Sequence, residues 1–133
     1  MNTYKEKLSI LSQLIAFARA DDVVKIVEYK FLQDIAAQLG IDMETCDTLF
    51  HTRTERVILK PESERILQFH RLLLLMNVDR EQHDSELRRL HTIGLAMGLP
   101  PSAIDQVLHV MHQFPDKIVP PEVLIDIFKA HYN

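Results

Sequence analysis

One cysteine, three glycines and no tryptophan occur in these 133 residues. The single Cys46 can form no internal disulfide. Without Cys-rich metal spacing, it reads as a small buried hydrophobe, compatible with a reducing compartment. The glycines, Gly40, Gly94 and Gly98, fit neither a Walker nor a Rossmann fingerprint, so no phosphate-cradling loop is available. They also leave little room for flexible linkers or low-complexity sequence. Basic residues are not in excess: 15 Lys and Arg stand against 19 Asp and Glu, a formal charge of −4. That balance argues against nucleic acid as a partner, because such affinity rests on clustered cations neutralising phosphates. The longest apolar run, Leu72 to Met76, falls far short of the ~20 residues that a membrane-spanning helix needs. The opening Met1-Asn2-Thr3-Tyr4-Lys5-Glu6-Lys7 carries acid and precedes an amphipathic stretch, unlike an export signal. The expectation is a cytoplasmic protein with no membrane partner.

What is present is a soluble globular composition, 47% hydrophobic and 26% charged, in a length suited to one domain over 1–133. The chain also repeats itself. Asp21 stands opposite Asp79, Glu28 opposite Glu86 and Gly40 opposite Gly98, always 58 positions apart. Leu14, Leu32, Ile35, Leu39 and Ile41 meet Leu72, Leu90, Ile93, Met97 and Leu99 at the same offset. Core positions and acidic positions therefore recur together, in copies over about 3–56 and 61–114.

The hydrophobic period is helical throughout and nothing alternates as a strand, which predicts an all-α bundle of about seven helices. Thr3 caps a first helix to about Arg19, with Leu8, Leu11, Leu14, Ile15 and Ala18 on its apolar side. A second helix runs from about Lys25 to Leu39 and stops at Gly40. Asp42 caps a third, from Met43 to about Arg53. The second copy opens at Lys60-Pro61-Glu62, places Leu72–Met76 centrally in its first helix, continues to Gly98, and starts another helix at Pro100-Pro101-Ser102 that Pro115 stops. A terminal helix over about 120–131 has no counterpart in the first copy.

Several constellations could carry chemistry. Each acidic connection places an Asp after a helix C-terminus, where free carbonyls already concentrate negative charge, and a Glu seven residues later in the next first turn. Asp21, Asp22 and Glu28 form the first such group and Asp79, Glu81 and Glu86 the second. Converging hard oxygens suit Mg²⁺ or Ca²⁺. The plainer alternative is that the Asp solvates a turn while the Glu caps its helix. Asp105, His109 and His112 could share a helix face as a third candidate metal site, Zn²⁺ included, or merely line a half-exposed face. Leu32 to Asp42 followed by Met43 to Arg53 imitates a helix-turn-helix, but Glu44 and Asp47 would face phosphates, and Ser102-Ala103-Ile104-Asp105-Gln106 offers no base-reading cation. Cys46, flanked by Glu44 and Asp47, is poorly placed to act as a nucleophile. No catalytic residue is assigned.

An acidic turn between helices, a Glu seven residues after its Asp, and a helix ending Leu-Gly-Ile before an Asp-capped helix resemble the TerB-like family associated with tellurite resistance. Ala20-Asp21 through Glu28 and Ile35 to Ile41 resemble its first motif, and Asp79 through Glu86 to Leu99 its second. The chain is also similar to the related domain of some DnaJ-like co-chaperones. The resemblance implies a non-enzymatic helical binding module with an acidic surface for a divalent cation or a protein partner, and a role in a stress response. The family's motif Asp is typically followed by Gly, where this chain has Asp22 and Arg80. A β-carbon disfavours the left-handed turn that Gly permits, and Arg80 puts a cation in the second site, so the first is preferred. The competing expectations are a small metal-dependent enzyme using the same acids or the Asp105, His109 and His112 face, and a structural homo-oligomer meeting through Phe114, Ile118, Val119 and Tyr132.

Overall fold

Thr3 opens the first helix with a reciprocal cap. In the computed structural model, its hydroxyl accepts the Glu6 amide at 3.1 Å while the Glu6 carboxylate accepts the Thr3 amide at 2.8 Å. Two orphan donors are thereby satisfied before the apolar run begins. The structure describes residues 2–20, 23–52, 56–79 and 84–132. Among these residues the chain is all-α, with seven helices and no strand: α1 (Tyr4–Arg19), α2 (Ile26–Gln38), α3 (Met43–Leu49), α4 (Glu62–Asn77), α5 (Asp84–Ala96), α6 (Pro101–Val110) and α7 (Pro121–Tyr132). Two 3₁₀ turns, Met111–Gln113 and Pro115–Lys117, follow α6. No helix among the described residues is long and apolar enough to cross a membrane.

The chain divides into two compact units, Met1–Leu59 and Lys60–Asn133. Each holds one copy of the repeat, and the helix starts keep its register: Tyr4 and Glu62, Ile26 and Asp84, and Met43 and Pro101 are all 58 positions apart. In the first unit α1, α2 and α3 pack on one another. In the second, α5 packs on α4 and α6, and α7 packs on α4 and α6. The burial pattern repeats as well. Leu14 and Leu72, Leu32 and Leu90, and Cys46 and Ile104 are all fully buried, which is the i, i+3, i+4 stripe of each helix turned inward.

The turn after the second helix of each copy is the most faithfully repeated piece. The Ile41 amide reaches the Ala36 carbonyl at 2.8 Å and the Gly40 amide reaches Ala37 at 3.1 Å; Leu99 to Gly94 and Gly98 to Leu95 repeat this at 3.1 and 3.0 Å. This is a Schellman closure, which requires a left-handed residue, and Gly40 and Gly98 supply it at φ +73° and +78°. The apolar residue just beyond, Ile41 or Leu99, is buried and pins the turn.

Asp42 then caps α3, its carboxylate accepting the Thr45 amide at 2.7 Å. The hydrogen bonds from Thr45 hold this carboxyl below its ordinary value of 3.8. A depressed folded-state pKa contributes stability above the unfolded-state value and loses it as pH falls through the folded one. The stability difference between the protein and Asp42→Asn, measured by urea denaturation across a pH series, should therefore be widest above 3.8 and close as the solution is acidified below it.

The third helix is shorter than expected, ending at Leu49 rather than near Arg53. The apolar stripe stops there too, since the sequence continues His51-Thr52-Arg53-Thr54. The Thr48 and Thr52 hydroxyls bond back to the Glu44 and Thr48 carbonyls at 2.9 and 3.0 Å, competing with the helix ladder. The Phe50 carbonyl beyond the last turn accepts from the Arg19 guanidinium.

Val119 departs from its expected role as an oligomer contact, since it is fully buried. It lies on a strap, Phe114–Pro120, that returns from α6 to the start of α7. His70 Nε2 bonds the Val119 carbonyl at 2.9 Å, and the Asn77 amide donates to the Lys117 carbonyl at 3.4 Å. Asp116 and Lys117 take left-handed conformations, φ 55° and 59°, so the strap turns without glycine. Ile118 on the same strap is half exposed.

Candidate functional site

The acidic connections join α1 to α2 and α4 to α5. Asp21, Asp22 and Glu81 lie outside the described residues. Glu28 and Glu86 are both buried, at 8% and 6% exposure, which is unusual for carboxylates unless their oxygens are satisfied. Glu28 caps α2, its Oε1 accepting the Lys25 amide at 3.0 Å. This is the capping role that its first-turn position allows. Glu86 occupies the equivalent first turn of α5 and Asp79 is half-buried, and both are held by polar interactions.

The histidine face does not assemble. Helix α6 ends at Val110, so His109 is on the helix and His112 in the 3₁₀ turn that follows. Asp105 instead meets His91 of α5, Oδ1 to Nε2 at 3.0 Å. Among the described residues, no group of three or more His, Cys, Asp or Glu is arranged to hold a metal ion.

The Asp105 contact is one half of a repeated tie. Asp47, its equivalent in the first copy, accepts the Tyr29 hydroxyl at 2.6 Å. That bond to Asp47 raises the Tyr29 phenol above its usual range, with burial and the Asp47 charge adding to the effect. At the residue before it, burial first and Asp47 second push the Cys46 thiol up. A fully buried, disfavoured thiolate is structural chemistry. The helix-turn-helix likeness also ends here: α3 has only seven residues, and Glu44 and Asp47 are exposed on it.

A feature the motifs do not announce lies on the first unit. The C-terminal half of α1 and the segment after α3 enclose a cleft of about 670 Å³, with Ile15 and Leu49 among its lining and Ser12, Arg19, His51 and Arg56 around them. Its cationic lining is a poor seat for a metal ion and a good one for carboxylates or phosphates. The signal for it was in the repeat. Arg19 and Arg56 fall opposite Asn77 and Phe114, so the first copy carries two cations where the second is neutral.

The chain matches no protein-family model, no curated protein and no solved structure.

Proposed function

We propose that the protein is a TerB-like, cytoplasmic, non-enzymatic binding module with a role in a stress response, and that its acidic connections engage a divalent cation or a protein partner. The first connection, Asp21 and Asp22 with Glu28, is the preferred site and Asp79, Glu81 and Glu86 the weaker one. The observation that carries the reading is the recurrence, in both copies, of a buried Glu in the first turn after an acidic connection. A carboxylate taken out of water at two equivalent helix entrances biases each connection toward partners that add positive charge.

Calorimetric titration with Ca²⁺, Mg²⁺ and Zn²⁺ tests the cation version. A saturable heat with at least one ion is expected, reduced about tenfold in affinity by Asp21→Asn, since loss of one charged ligand from a small oxygen set is costly. Glu28→Gln separates ligand from cap. The amide can still accept from Lys25, so the thermal midpoint should move little while cation binding weakens. Absence of heat with all three ions, or heat indifferent to Asp21→Asn, would remove the cation and leave only the protein-partner version.

A further inference from the structure

The two copies of the repeat differ in what covers the second half of their first helix. In the second unit the strap runs along α4. Val119 is sunk to zero exposure, its carbonyl is bonded by His70, and the Lys117 carbonyl is bonded by Asn77. In the first unit the residues at those two positions are Ser12 and Arg19, and both line the open cleft. The chain after α3 takes another route. The Val57 amide donates to Ser9 Oγ at 3.0 Å, one turn nearer the start of α1, and the buried Leu59 ends the unit. The surface that receives a returning segment of backbone in one copy is thus open, among the described residues, in the other.

The geometry points to an occupant of the same kind: a peptide segment of a partner protein, carrying an aliphatic side chain beside one or more carboxylates. Each part of that description has a matching part in the cleft. Ile15 and Leu49 stand where Leu73 and Val107 line the second unit, and all four are buried, so an apolar floor is retained. Ser12 and Arg19 replace His70 and Asn77 as groups able to donate to main-chain carbonyls. Arg19 is held toward this end of the unit by its bond to the Phe50 carbonyl. Arg56 stands in place of the apolar Phe114, and His51 lies nearby, which changes the required partner from neutral to acidic. In a chain of net charge −4 a local pair of arginines is a selective feature. The proposal rests on Ser12, Arg19, His51 and Arg56 rather than on the acidic residues, and its test reads peptide rather than cation binding, so it stands or falls independently of the cation reading.

Selection of a displayed random decapeptide library on the intact protein provides the test. Enriched sequences should pair Asp or Glu with Val, Ile or Leu. A synthetic representative should lose about tenfold in affinity when its carboxylates become amides, and a similar factor against Arg56→Gln, as expected for charge-assisted contacts. Amide resonances of 12–20 and 49–52 should shift on binding, while those of α5 and α6 stay in place. Arg56 is exposed, so its variant should keep the wild-type thermal midpoint; Arg19→Gln serves as the second variant, with its midpoint measured alongside. Enrichment that is equal on the Arg56→Gln protein, enriched peptides without carboxylates, or full displacement by inorganic phosphate alone would each overturn the proposal, the last by reducing the cleft to a simple anion site.

Discussion

Phe128→Ala should cost about 3–5 kcal/mol, the range for emptying a buried phenylalanine site. Phe128 is fully buried on α7 and meets Phe69 of α4 edge to face, with ring centroids 6.0 Å apart and an interplanar angle of 77°. The neighbours that would have to close the void are themselves committed. Leu124 and Ile127 anchor α7, and Phe69 is buried with no exposed side from which to relax. Set against a total stability of about 5–15 kcal/mol for a domain of this kind, the loss brings the second unit close to unfolding at ambient temperature. Urea denaturation followed by helical circular dichroism measures it as a lower midpoint. Phe128→Leu should cost much less, since it retains most of the volume. A cycle of Phe69→Leu and Phe128→Leu should then isolate about 0.5–1.5 kcal/mol for the aromatic contact itself. A Phe128→Ala midpoint within error of the wild type would mean that α7 is not part of this unit's core.

The helices were legible because their signals are local. Thr3 with Glu6, Asp42 with Thr45, and glycine at 40 and 98 specify ends by chemistry within three or four residues, and the apolar stripes specify faces. The end of α3 was less legible, because no glycine or proline marks it; the carbonyls there accept from threonine hydroxyls and from Arg19, 31 positions away. The strap was hidden for a similar reason. Nothing local in Asp116-Lys117 announces two left-handed residues, and the bonds that hold them to α4 span 40 and 49 positions. Of the candidate sites, the buried glutamates were visible as first-turn acids, whereas their burial was not. The Asp105, His109 and His112 group was argued from spacing along one segment, which does not show that Asp105 meets His91 of the neighbouring helix. The cleft is the instructive case. No motif marks it, and it becomes visible only when the two copies are compared for differences rather than likeness.

The crossing of α5 against α4 and α6 is set by the absence of one β-carbon. A Cβ built on Gly94 would lie 2.7 Å from Ile104 Cδ1, 3.1 Å from Phe69 Cε1 and 3.2 Å from Ile104 Cγ1, and both neighbours are fully buried. The first copy solves the same crossing with the volumes redistributed: Ala36, Cys46 and Leu11 stand where the second has Gly94, Ile104 and Phe69. The larger pair of neighbours therefore goes with the smaller helix residue. Gly94→Val should cost about 3 kcal/mol, because the extra carbons meet atoms that can move only by leaving their rotamers. Gly94→Ala sets two effects against each other. Removing glycine from a helix interior is worth about 1 kcal/mol, and the overlap costs about 1–3 kcal/mol, so a net loss near 1 kcal/mol is expected. Shortening Ile104 to Val removes the closest of the three contacts. In the Ile104→Val background the alanine should therefore be neutral or stabilising, which is a coupling of about 1 kcal/mol in a double-mutant cycle read from urea midpoints. If Gly94→Ala is equally harmful in both backgrounds, the glycine is required by something other than the approach of Ile104. Strict additivity would then leave the exchange of volume between the two copies without energetic meaning.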